Sequence, residues 1–157
     1  KWLLAGGDGA RPALALRGAV KAPTGGATFG SGTWDAAAGL LAAWSWPVAA
    51  LRLSVDGVVP SGRLASAELS TRPHGAAQAG LAVRLGPALT GHLQLSAHLA
   101  PLARTGIPQL DDPLYDLLLG ATVPLGGGAD LELAAVENFA SPRRGADAAL
   151  LFGVRVR

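Results

Sequence analysis

The chain contains no cysteine and no methionine, and its aromatic residues are four Trp, one Tyr and three Phe. Without cysteine there is no disulfide framework, no thiolate metal site and no cysteine nucleophile. Charge is scarce too, at 15% of residues against roughly a quarter in an ordinary soluble domain. The 13 Lys+Arg outnumber the 11 Asp+Glu by little, for a net charge of +2. No run of four basic residues occurs, so the chain carries no nucleic-acid footprint. Long hydrophobic runs are also missing. The longest nearly uninterrupted one, Ala36 to Trp46, covers 11 residues, which excludes a helical membrane span of about 20. The chain begins Lys1-Trp2-Leu3 without Met, which reads as a processed or cut product, and it shows no signal peptide.

What is present in quantity is Ala, Leu and Gly, which fill more than half of the 157 positions. Mean hydropathy is +0.34. The 22 Gly and 11 Pro cut this apolar chain into short segments, the pattern of a transmembrane β-barrel or of an unusually apolar all-β domain.

Periodicity separates these two. Alternation with period two marks strands. Leu14, Leu16, Gly18 and Val20 oppose Ala15, Arg17, Ala19 and Lys21. Leu51, Leu53 and Val55 oppose Arg52 and Ser54, and Ala79, Leu81, Val83 and Leu85 oppose Gly80, Ala82 and Arg84. Leu93, Leu95, Ala97 and Leu99 oppose His92, Gln94, Ser96 and His98, while Leu150, Phe152, Val154 and Val156 oppose Ala149, Leu151, Gly153 and Arg155. One face of each segment carries no charge. A soluble sheet would make the other face dense in Lys, Glu and Thr. Here it mixes Ala, Gly, Ser, Gln and His with a few Arg, which suits the inside of a narrow barrel.

Turns alternate in kind. Short breaks fall at 6–9, 46–47, 86–88 and 126–128, and longer stretches at 24–33, 58–76, 100–112 and 140–146. Outer-membrane barrels have short periplasmic turns and long external loops, so this alternation leaves the last strand ending in the periplasm. The reading is a single all-β domain over 1–157, an antiparallel up-and-down transmembrane β-barrel. It has eight full strands at 12–23, 34–46, 48–57, 77–86, 91–100, 113–124, 130–139 and 147–157, with a ninth stub at Trp2–Ala5. Trp44 and Trp46 flank a short turn, whereas Trp34, Tyr115 and Phe139 lie beside long loops, as membrane-interface aromatics would. One segment argues against this. Thr33 to Trp44 has a helix N-cap candidate and strong helix formers, but Pro47 and the alternating segment after it favour a strand. The segment 113–120 carries the same ambiguity.

Several strings resemble, in order, the motifs of a bacterial outer-membrane family catalogued as domain of unknown function 3187. They are Lys21-Ala22-Pro23-Thr24-Gly25, Ser31-Gly32-Thr33-Trp34-Asp35, Asp111-Asp112-Pro113-Leu114-Tyr115, Leu119-Gly120 and the run from Glu132 to Phe139. The resemblance spans about Arg11 to Arg157 and implies a Gram-negative outer-membrane barrel. It brings no activity. Members extend further at the N-terminus and end on an aromatic residue, so it also implies that this chain is the C-terminal part of a larger barrel.

The chemistry-bearing residues are few. Ser96 and His98 lie on one strand face about 7 Å apart, two residues at roughly 3.4 Å each, with His92 on the same face. They are similar to the Ser/His pair on the wall of outer-membrane lipid A deacylases, with the order reversed and the face turned inward. Asp111, Asp112 and Asp116 lack the spacing of a calcium loop, and the His92 to His98 gap is not a zinc spacing. The Gly-rich stretches at 25–32 and 126–128 match no phosphate-binding motif. More coherent is a lumen lined by Arg17, Lys21, Arg52, Arg84, His92, Gln94, Ser96, His98, Glu132, Asp147 and Arg155. Paired charges would fill the bore, and unpaired Arg or Lys would favour anions.

The expected protein is therefore an outer-membrane barrel, structural or narrow and pore-like. No catalysis, cofactor, metal or nucleic acid is expected; its partner is the lipid bilayer, with a small solute or ion in the lumen. The alternatives are a lipid-acting outer-membrane hydrolase using Ser96 and His98, and a soluble β-sandwich or barrel that binds a ligand.

Overall fold

A computed structural model describes residues 1–23, 34–61, 70–103, 105–139 and 148–156. Nine strands form one antiparallel sheet. They are β1 (Trp2–Ala5), β2 (Ala13–Lys21), β3 (Asp35–Ser45), β4 (Ala49–Pro60), β6 (His74–Gly86), β7 (Leu89–His98), β9 (Leu114–Gly126), β10 (Ala129–Asn138) and β11 (Ala148–Val156). Each pairs with the strand before and after it, an up-and-down order with β1 and β11 at the two edges. The sheet is not closed by a β1–β11 ladder. All nine expected segments are strands, with ends displaced by up to three residues.

The two remaining strands, β5 (Ser70–Thr71) and β8 (Leu102–Ala103), pair with each other. With α1, the single helical turn Pro108–Asp111, they give structure to connections that composition alone presents as loops. The stretches 24–33 and 140–146 lie outside the described residues, as do Thr33, Asp147 and Arg157.

The helix-prone segment is strand β3. It pairs along its whole length with β4 and over nine residues with β2. A helix there would leave the backbone donors and acceptors of two neighbours without partners, a larger loss than the few tenths of a kcal/mol per residue that separate helix propensities. Local chemistry still decides the turns. Gly126, Gly127 and Gly128 all have positive φ, from 61° to 84°, where a side chain would clash with its own backbone. Pro124 lacks an N–H to donate, and it sits where the β9–β10 register shifts, between Ala129 and Asp130.

Register sorts every strand into two faces. On one stand Leu14, Leu16, Leu40, Trp44, Leu53, Val55, Leu81, Leu93, Leu119, Leu133 and Phe152. Among the described strand residues on this face the one charge is Glu137, next to the long-loop end. Residues of the other face, from β1 to β11, line one cavity of about 1000 Å³, so the sheet curls with that face inward. The chain has almost no conventional core. Ala15 and Ala100 are the buried apolar residues among those described, and the accessible surface is 10272 Å². A compact soluble protein of 15.7 kDa would expose about 7,300 Å².

Candidate functional site: the concave face

Every described lumen candidate falls on the concave face. Ladder partners connect Arg17, Lys21, Arg52, Arg84, His92, Gln94, Ser96, His98, Glu132 and Arg155 through residues of a single parity. They do not form one cluster. Arg17, Arg52, His92, Gln94, Glu132 and Arg155 line the cavity, whereas Lys21, Arg84, Ser96 and His98 do not.

The cationic residues differ in their partners. Arg17 stands opposite Gly39, and Gly39 opposite Asp56, in one row across β2, β3 and β4. Gly39 has no side chain to separate the other two. The Arg17 Nε donates to Asp56 Oδ1 at 2.5 Å and its second nitrogen bonds Oδ2, a two-pronged ion pair. A Cβ at Gly39 would collide with the Asp56 carboxylate. Lys21 pairs with Asp35 directly opposite it. Arg155, whose ladder partner is Asp130, bonds Glu132 on the diagonal, within reach of long side chains in a sheet. Arg52 and Arg84 make no ion pair among the described residues.

Across β7 and β9 the face is polar without charge pairing. His92 Nε2 lies 2.8 Å from Thr122 Oγ1, and Gln94 Nε2 donates to Ser96 Oγ at 3.1 Å. Among the described residues neither imidazole hydrogen-bonds Ser96, whereas a hydrolytic nucleophile needs a base in hydrogen-bond reach and a group to orient it. No group of three metal-ligating side chains occurs among the described residues.

The long-loop end is tied by Arg72. Its Nε donates to the Ala100 carbonyl and its terminal nitrogen to the Asp111 carbonyl, both at 3.0 Å, while its backbone N–H donates to Pro101. Asp111 Oδ1 accepts the Thr105 N–H and hydroxyl, each at 3.0 Å. The Thr105 N–H above all holds the Asp111 carboxyl below the ordinary carboxylate range.

The aromatics share the outward parity. Tyr115 and Phe139 sit with ring centroids 6.4 Å apart at the long-loop end. Trp34, whose backbone N–H donates to Ser61 Oγ at 2.9 Å, precedes β3 at that same end. Trp44 and Trp46 lie at the short-turn end of β3.

Sequence reading missed Asp35, Asp56 and Thr122. Alternation along β4 places Asp56 on the face of Arg52, so that signal was available. Which cation Asp56 meets depends on register, which no single strand reveals. Compared with models of known protein families and with the curated proteins, the chain matches none.

Proposed function

We propose that this chain forms a bacterial outer-membrane β-barrel, structural or narrow and pore-like, without catalytic activity, within the family of unknown function that its motifs resemble. The observation that carries this reading is the convex face. Across nine strands it holds Leu, Val, Ala, Phe and Trp, and one charge near the rim among the described residues, yet side chains such as Val55, Val59, Leu119 and Phe152 are 55–78% exposed. A protein in water leaves patches of a few hundred Å² of this kind, not a whole face. Lipid supplies the cover.

Dimensions agree with a bilayer. Apart from β1 the strands of the main sheet have 9 to 13 residues, and about 9 to 11 cross a membrane when tilted. Trp34 and Trp44 are ten residues apart, about 33 Å along the strand. At a tilt of roughly 40° this is about 25 Å, the height of the apolar band between aromatic girdles. Short turns then face the periplasm and the long connections the exterior.

Electrophoresis of the chain refolded in detergent micelles, unheated against boiled, tests this together with far-UV circular dichroism. The expected result is a band that shifts on boiling and a β spectrum. A chain that remains monomeric and folded in detergent-free buffer would overturn the reading.

A further inference from the structure

We propose that the concave face carries a binding site for a small monovalent anion, a carboxylate by its geometry, held by Arg52 over Gly80. This goes beyond the membrane reading, because it rests on ladder register and on a comparison within the sheet. Two rows of the concave face share one arrangement. In the first, Arg17 on β2, Gly39 on β3 and Asp56 on β4 lie in register, and the glycine lets the guanidinium reach the carboxylate over it. In the second, Arg52 on β4, Gly80 on β6 and Gln94 on β7 lie in register in the same order. The third position now holds a neutral amide.

The consequence is a cation at the register position that Arg17 holds in the first row, with no carboxylate at the third position of its own row. Arg52 makes no ion pair among the described residues. Gln94 is engaged sideways, its Nε2 donating to Ser96 Oγ at 3.1 Å. A Cβ added at Gly80 would meet nothing nearer than the Leu93 carbonyl oxygen at 4.0 Å, so the space over the glycine is open. Ala43, on the other side of Arg52, carries only a methyl group. Arg52, Gly80, Gln94 and Ala43 all line the cavity, whose wall has, among the described residues, the cationic Lys1, Arg17, Arg52 and Arg155 against the one acidic residue Glu132. A planar guanidinium fork matches a carboxylate through two parallel N–H···O bonds. A free carboxylate therefore takes over Gly80 the place that Asp56 occupies over Gly39.

Acetate is the probe. The full chain, refolded in detergent micelles, is titrated with ¹³C-labelled acetate at low chloride and binding is read from line broadening. Saturable binding is expected. Gln94→Glu builds the missing carboxylate into the row and should weaken acetate at least tenfold, as should Arg52→Gln, whereas Arg84→Gln, on the same face outside the cavity, should not. Equal affinity in wild type and Gln94→Glu would overturn the site, as would absence of saturation in wild type. Unheated and boiled samples of the same preparations separate the two readings. A heat-modifiable protein that ignores acetate loses the anion site and keeps the membrane assignment. One that binds acetate without heat-modifiability keeps the site and loses that assignment.

Discussion

Val55 and Asp56 are neighbours on β4 and face opposite media. Val55 is 63% exposed on the convex face, while the Asp56 side chain is 15% exposed on the concave one and paired with Arg17. Soluble proteins distribute these residue types the other way. The same inversion recurs at the far edge, where Phe152 is 78% exposed and Asp130, on the neighbouring strand's other face, is 3% exposed. Here the two carboxylates are the sheltered groups and the apolar side chains the exposed ones. This sheet is organised around a polar inside and an apolar outside, with successive residues of each strand alternating between them.

The largest effect should come from putting a charge on the wrong face. Val55→Arg is expected to cost about 2–4 kcal/mol, the range for a basic residue at the midplane of a membrane barrel. Ser54→Arg, one residue away on the concave face, should cost less than about 1 kcal/mol. Urea titration of both variants in lipid vesicles decides it, and equal losses would break the distinction between the faces.

Glycines offer a second cut. Gly39→Ala should destabilise by about 1–3 kcal/mol, as overpacking does, because Asp56 must swing off Arg17 to make room. Gly57→Ala, on the convex face with nothing within 4 Å of the added carbon, should be close to neutral in the same titration. Thr122→Val follows, at about 0.5–1.5 kcal/mol for the hydrogen bond to His92. Glu132→Gln should be smallest, about 0–1 kcal/mol, since the pair with Arg155 is largely exposed.

The long-loop end responds to acid instead. The Asp111 carboxyl is depressed in the folded state, so its contribution is complete above the ordinary value of 3.8 and fades as pH falls through the lowered one. The protection of the Thr105 amide from hydrogen exchange, taken against the intrinsic rate at each pH, should therefore fall at acid pH. Asp111→Asn should abolish that dependence, and an unchanged profile in the variant would show that Asp111 is not its source.

Much of this was legible in the chain. Alternation marked five of the nine strands of the main sheet, because a strand's two faces meet different surroundings and period two records them directly, and the spacing of the turns supplied the others. It also placed Arg17, Arg52, Gln94 and Arg155 on one face. The stretch from Asp35 to Ser45 was harder, since Ala-Ala-Ala and Leu-Leu-Ala-Ala favour a helix locally and only the paired neighbours make a strand the better state. The β5–β8 pair escaped notice because two-residue strands have no period to read.

The sequence by itself determined the division into short segments, the turn positions and the two faces. Glycine and proline restrict the backbone locally, and side-chain polarity alternates within one strand. Tertiary structure alone decided which residues meet. Arg17 reaches Asp56 across 39 positions of chain because three strands align Gly39 between them. Arg52, Gly80 and Gln94 are brought into one row by the same means. Register is a property of strands together, and a one-residue slip would send every one of these side chains to the other face.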